Sequence, residues 1–82
     1  MNRLGFLVLS ILAKYDARDK LSSMSIREIV ETEDCGYKEN TIYKKIKEFE
    51  KLGYISRGLS DGKAVTFYIT ANGSRTLAQE KN

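Results

Sequence analysis

The sequence predicts a small α+β domain that is mainly α-helical. Three observations predict this class. Apolar residues recur at helical spacing near the N-terminus and again in the middle of the chain, and the last third alternates like a strand beside a turn signal. With 82 residues, of which 41% are hydrophobic, we expect one globular domain covering residues 1–82.

The first element is predicted as a helix from about Arg3 to Tyr15, with Asn2 as its N-cap. Its inner stripe contains Leu4, Leu7, Val8, Ile11 and Tyr15. A second apolar strip, on the far side, contains Phe6, Leu9, Leu12 and Ala13. Because so small a chain cannot easily enclose a helix that is apolar all round, we predict that this strip forms a homodimer interface. The alternative is that the C-terminal helix covers it.

A helix-turn-helix is predicted in the middle of the chain. Segment 16–23 is polar and loop-like, with Leu21 as its expected anchor. Ser25 and Glu28 then match the capping box, which predicts a short helix to about residue 31. A longer helix is expected from near Lys38 to residue 52, where Gly53 suits a left-handed helix end. Two helices joined by a turn containing glycine are typical of a motif whose second helix enters the DNA major groove.

The longer helix is amphipathic. At about 100° per residue, its apolar residues Ile42, Ile46 and Phe49 share a narrow arc. The opposite face is amide and ammonium, and contains Asn40, Lys44, Lys47 and Lys51. Acidic residues gather just before this helix, whereas basic residues dominate from Lys38 to Lys63 within a net charge of +3. Such a distribution favours an anionic partner for the basic part of the chain.

A β-hairpin and a last helix complete the predicted order. Strands are expected at 54–56 and 64–69, separated by a turn that contains the Asp61-Gly62 pair. Alternation places Val65, Phe67 and Ile69 on one face of the return strand and Thr66 and Tyr68 on the other. Thr70 is then the expected N-cap of a short helix that reaches residue 77 or 78.

Residues Thr41 to Ile55, the hairpin and Tyr68 to Gly73 together resemble the winged-helix DNA-binding domains of PadR and MarR regulators. The resemblance implies a three-helix helix-turn-helix core, a two-stranded hairpin wing and a short C-terminal helix. The chain is shorter than both kinds of regulator and ends soon after Leu77, without the long dimerisation helices of PadR proteins. This shorter plan is similar to small plasmid- or phage-encoded winged helices, including TubR-like proteins, which bind centromere repeats for DNA segregation.

Nine residues are predicted to contact DNA: Arg27, Lys38, Asn40, Thr41, Tyr43, Lys44, Lys47, Arg57 and Lys63. An asparagine amide in the first turn of a recognition helix suits adenine, and a threonine methyl suits the thymine methyl. Lysine, arginine and tyrosine side chains suit phosphates. Lys45 is excluded because it lies near the apolar stripe, and Lys51 is assigned to the helix dipole.

These residues could instead have purely structural roles. Asn40 or Thr41 would only help to start the helix, and the Tyr43 ring would pack between the two helices. The lysines would form a solvated face through Lys47–Glu50 or Glu48–Lys51 pairs.

Other chemistry is not expected. The sequence has no histidine and a single cysteine, Cys35, so a zinc site and histidine-dependent catalysis lack their residues. No phosphate-cradling glycine loop is present. We therefore expect no enzyme activity, no metal, no cofactor and no small-molecule ligand. The apolar run from Leu4 to Leu12 is too short to span a membrane and lacks a signal-peptide cleavage site, which predicts a cytoplasmic protein.

The functional prediction is a homodimeric protein that binds double-stranded DNA by sequence, as a transcriptional repressor. One alternative is a TubR-like centromere-binding segregation adaptor, and a second is a winged helix that acts as a protein-interaction module. RNA binding by the same basic face is a further possibility. A pseudo-palindromic site is expected of the repressor, whereas side-by-side direct repeats are expected of the adaptor.

Overall fold

The computed structural model describes residues 1–32, 35–60 and 62–81. Its elements are α1 (Arg3–Lys14), β1 (Met24–Ser25), α2 (Ile26–Val30), α3 (Glu39–Leu52), β2 (Ile55–Arg57), β3 (Thr66–Ile69) and α4 (Ala71–Lys81). The three strands form an antiparallel sheet in the order β1-β3-β2. The predicted succession of three helices, a hairpin and a fourth helix is confirmed, and β1 is an addition that the sequence did not predict.

Helix α1 begins as predicted, since the Asn2 side-chain oxygen accepts a hydrogen bond from the Gly5 amide at 2.8 Å. Its second apolar strip does not form a surface, however. Leu9 and Leu12 are completely buried in the core of this chain, because α1 packs against α3, α4 and β3. The predicted dimer contact through these two residues is therefore wrong. Phe6 and Ala13 are only partly buried, and Tyr15, expected inside, is exposed.

The helix-turn-helix has the predicted caps. Ser25 Oγ accepts from the Glu28 amide at 3.1 Å, and the Glu28 carboxylate accepts from the Ser25 amide at 2.9 Å. This reciprocal pair starts α2, as the capping box requires. Helix α3 follows Lys38, which makes no side-chain cap hydrogen bond, and ends at Gly53 with a φ of +81°. The glycine takes this left-handed conformation without the steric cost of a Cβ atom.

The segment between α1 and β1 is held by a residue other than the predicted one. Leu21 is 86% exposed, so its predicted role as anchor is wrong. Ala17 is completely buried instead. Its amide donates to Leu12 O, and its carbonyl accepts from the Ile69 amide, each at 2.8 Å. Backbone hydrogen bonds from Ala17 to α1 and to β3, rather than a large apolar side chain, fix the path of this segment.

Strand β1 changes the environment of the wing, which we define as residues 57–66. Met24 pairs with Phe67 and Ser25 with Thr66. Strand β1 therefore occupies the edge of β3 for which the sequence predicted no partner strand. Thr66 is consequently buried, although alternation placed it on the face opposite Phe67 and Ile69. Its hydroxyl accepts from Ser23 Oγ at 2.7 Å and donates to Leu59 O.

Two other predictions concern the hairpin. One is wrong, and the other falls partly on a residue outside the described ranges. Val65 precedes the strand and is exposed, unlike Phe67 and Ile69, with which alternation grouped it. In the predicted turn pair, Asp61 lies outside the described residues, and Gly62 has a φ of +64°.

Helix α4 is longer than predicted and continues to Lys81. Its predicted N-cap is confirmed: Thr70 Oγ1 accepts from the Gly73 amide at 3.1 Å. The same hydroxyl donates to Gly53 O at 2.6 Å and so connects the start of α4 to the end of α3. Among the residues that the structure describes, no helix has the length and apolar character needed to cross a bilayer.

We expect Thr66→Val to lower the free energy of unfolding by about 1–3 kcal/mol, because Leu59 O and Ser23 Oγ lose a buried partner. Urea unfolding followed by circular dichroism measures this change. Thr76→Val is the matched control, since within the described part of the chain the Thr76 hydroxyl in α4 makes no hydrogen bond and the same atoms are exchanged. Equal stability of the two variants would contradict a structural role for the Thr66 hydroxyl.

Candidate nucleic-acid interface

Helix α3 presents the polar face that its sequence predicts. Ile42, Ile46 and Phe49 are buried against the core, which turns the opposite side of the helix to solvent. That side contains Asn40, Lys44, Lys47 and Lys51, of which Lys47 is partly covered and the others are exposed. The outer face of α3 is therefore an amide followed by three ammonium groups, each about one helical turn from the next.

Beside this face lies a cleft of about 630 Å³ between α3, the start of α2 and the wing. It is lined by Ser25, Ile26, Arg27, Glu39, Tyr43, Arg57, Lys63, Ala64, Val65 and Phe67. Four of the nine predicted DNA contacts, namely Arg27, Tyr43, Arg57 and Lys63, thus come together from three parts of the chain. Three cations and one phenol against the single carboxylate of Glu39 make the cleft electropositive, which suits a phosphate group.

The remaining five predicted contacts lie on or just before α3, outside the cleft. Lys38 and Asn40 are exposed at its start, and Thr41 is partly buried beside them. Tyr43 connects the two regions, because its side chain lines the cleft while 46% of the residue stays exposed. Its ring is therefore not enclosed between the helices.

Glu50 pairs with two of the predicted contacts. Its Oε1 lies 3.1 Å from Lys47 Nζ, and its Oε2 accepts a hydrogen bond from Arg57 Nε at 2.8 Å. The Lys47–Glu50 pair of the solvated-face alternative is thus present, and it extends to the wing. The hydrogen bond from Arg57, and then that from Lys47, hold the pKa of Glu50 below its usual value. Sequence reasoning missed Arg57 as a partner, because it lies beyond the end of the helix.

Lys45 lies apart from the outer face, in agreement with its exclusion. Its ammonium group pairs with Glu48 at 2.5 Å and lies 5.4 Å from the centre of the Phe49 ring. Glu48 therefore pairs with Lys45, whereas the sequence suggested Lys51. Within the described ranges 1–32, 35–60 and 62–81, five cations of this region have no ion-pair partner: Arg27, Lys38, Lys44, Lys51 and Lys63.

Solved structures with the same architecture are known. TubR from Bacillus megaterium pBM400 superposes with a TM-score of 0.84 at 17% identity, over 100% of this chain and 88% of TubR. The chain shares its fold with TubR. The DNA-binding TubR fragment from Clostridium botulinum gives a TM-score of 0.76 at 26% identity, over 96% of this chain and 95% of the fragment.

A third structure, AF1382 from Archaeoglobus fulgidus, gives a TM-score of 0.67 at 17% identity, over 99% of this chain and 85% of AF1382. No protein-family model and no curated protein sequence matches the chain. The structural neighbours support a winged-helix-like fold and the TubR part of the resemblance. The PadR and MarR part is not confirmed.

We expect the Glu50 carboxyl to titrate below the ordinary glutamate pKa of 4.5 in a carbon-13 NMR titration. Since the folded pKa is lowered, the pairs stabilise the fold above pH 4.5, and this contribution is lost as pH falls through the lower folded pKa. Arg57→Ala should raise the pKa of Glu50, because it removes the principal hydrogen-bond donor. Lys45→Ala, which leaves both partners of Glu50 in place, should not change it. An unchanged Glu50 pKa in Arg57→Ala would refute the pairing.

Proposed function

We propose that this chain is a double-stranded DNA-binding protein that acts as a TubR-like, centromere-binding adaptor in DNA segregation. The observation that carries the proposal is the continuous basic surface formed by the outer face of α3 and the neighbouring cleft. The proposal is supported by the fold shared with TubR, including a TubR fragment described as DNA-binding. The transcriptional-repressor prediction has less support, because these neighbours favour the segregation alternative.

The proposed complex follows from the shape of the surface. An α-helix fits the major groove of B-DNA, and the polar side of α3 faces solvent. Asn40 then reaches a base edge from the first turn, and Lys44 neutralises a phosphate beside it. The cleft receives the adjacent DNA backbone, and its lining includes Arg27 of α2 together with Arg57 and Lys63 of the wing. Base contacts supply specificity, whereas the cations supply affinity that falls with salt.

Homodimerisation, a cytoplasmic location and the absence of any metal or cofactor belong to the same proposal. Because Leu9 and Leu12 are buried, the dimer contact of α1 is restricted to the partly exposed members of its strip, Phe6 and Ala13. Phe6 lines an open groove of about 530 Å³ together with Leu7 and Tyr37, among others. None of the residues that line this groove belongs to the outer face of α3, so the proposed twofold contact uses a different set of residues from the proposed DNA contact.

Lys44→Ala should weaken binding to duplex DNA and reduce the slope of log K against log salt by about 1, because one phosphate contact is lost. Fluorescence anisotropy with a labelled duplex across a salt series measures both quantities. Lys45→Ala is the matched control: it removes the same charge from the same helix, but at a residue that faces Glu48 and Phe49. If both variants lose affinity equally, or if neither changes it, insertion of α3 into the groove as described is wrong.

Footprinting on the DNA around the protein's own gene is expected to show several adjacent direct repeats rather than one isolated palindrome. A plasmid that carries these repeats should be lost more often per generation when Lys44→Ala replaces the wild type, because partition then lacks its DNA contact. Plasmid-retention counts without selection measure this loss, and a promoter reporter measures repression in the same cells. Unaltered retention together with released repression would favour the repressor, and wild-type protein that binds no duplex would favour a protein-interaction module.

A further inference from the structure

We propose that Glu50 is a built-in competitor of DNA phosphate that limits the affinity of the interface for DNA of any sequence. The inference rests on the proposed function, since it assigns a role within the same DNA-binding surface. It concerns an acidic residue that stands between the two basic parts of that surface, the outer face of α3 and the wing.

The geometry gives each carboxylate oxygen of Glu50 its own cation. Oε1 lies 3.1 Å from Lys47 Nζ, and Oε2 lies 2.8 Å from Arg57 Nε. The Glu50 side chain is 24% exposed, whereas those of Lys47 and Arg57 are 36% and 50% exposed. The carboxylate is therefore more buried than the two cations that it pairs with, and both cations remain accessible from solvent. A DNA phosphate that approaches from solvent therefore encounters hydrogen-bond donors that are already paired with the Glu50 carboxylate.

Competition follows from the chemistry of the donors. A phosphate oxygen accepts from the same ammonium and guanidinium N–H groups that the carboxylate holds. When DNA phosphates engage Lys47 and Arg57, condensed counterions leave the DNA, but the Glu50 charge loses its compensation and attracts a cation from solution. The net ion release, and hence the affinity at low salt, is smaller than the number of cations in the interface suggests. Contacts made by Asn40 to a base edge do not involve this exchange.

Backbone contacts hold Arg57 in place independently of Glu50. Arg57 is opposite Phe67 in the pairing of β2 with β3, and the adjacent Gly58 amide donates to Thr66 O at 2.9 Å. A glutamine at position 50 retains an oxygen that accepts from the guanidinium group. Glu50→Gln therefore removes the negative charge and leaves the wing where it is, which makes it a test of charge rather than of folding.

The test compares Glu50→Gln with Glu48→Gln. Both remove one negative charge from α3, but Glu48 holds Lys45, which lies outside the proposed interface. For a random-sequence duplex at 50 mM salt, Glu50→Gln should bind about three- to tenfold more tightly than wild type, with a salt slope steeper by roughly 1–2. This gain should shrink at least about threefold by 200 mM salt. Glu48→Gln should change affinity less than about twofold, and its slope should match wild type, because Glu48 holds no cation that the proposed interface offers to phosphate.

A second comparison places Glu50→Gln in a Lys47→Ala/Arg57→Ala background, where the gain should disappear because no cation is released. Thermal unfolding by circular dichroism verifies that every variant is folded. Equal affinities of Glu50→Gln and Glu48→Gln, weaker binding by Glu50→Gln, or a gain that survives in the double-alanine background would each overturn the inference. These outcomes leave the proposed function intact, whereas wild-type protein that binds no duplex removes both.

Discussion

The antiparallel pairing of β3 with two neighbours is the constraint on which the rest of the structure depends. The strand pairs with β1 on one edge and with β2 on the other. Its Ile69 amide donates a hydrogen bond to the carbonyl of Ala17, which follows α1 in the sequence. The next residue, Thr70, caps α4 and binds the carbonyl of Gly53 at the end of α3. One four-residue strand thus fixes α1, α3 and α4 relative to each other, and its apolar residues Phe67 and Ile69 are buried among them. In this small domain, several elements thus share one strand, whose apolar residues belong to the common core.

The same pairing assembles the candidate interface. Strand β1 runs directly into α2, so the register of Ser25 with Thr66 places Arg27, two residues later, at the cleft. On the other edge, the register of Arg57 with Phe67 places a second guanidinium group in the lining of the same cleft. Groups that are thirty residues apart in the sequence thereby line one electropositive cleft beside α3. The surface is a consequence of strand register more than of net charge, which is only +3.

Part of the positive charge of this surface is balanced by a carboxylate within it, that of Glu50. Lys44 and Lys63 have no ion-pair partner among the residues that the structure describes, whereas Lys47 and Arg57 share Glu50. Cations of equal formal charge are therefore unequal in their readiness to bind phosphate, because an exposed ion pair is a weak but real competitor worth about 0–1 kcal/mol. This distinction separates residues that the sequence grouped together as one basic face.

The sequence by itself determined the helices, their caps and the polar face of α3. These features depend on residues at most four positions apart: Asn2 with Gly5, Ser25 with Glu28, and the apolar spacing that ends at Gly53. Only the tertiary structure decided that Leu9 and Leu12 are enclosed, that Thr66 is buried where it pairs with β1, and that Glu50 joins α3 to the wing. Those outcomes depend on which distant segments pack or pair together, and neither helical periodicity nor strand alternation contains that information.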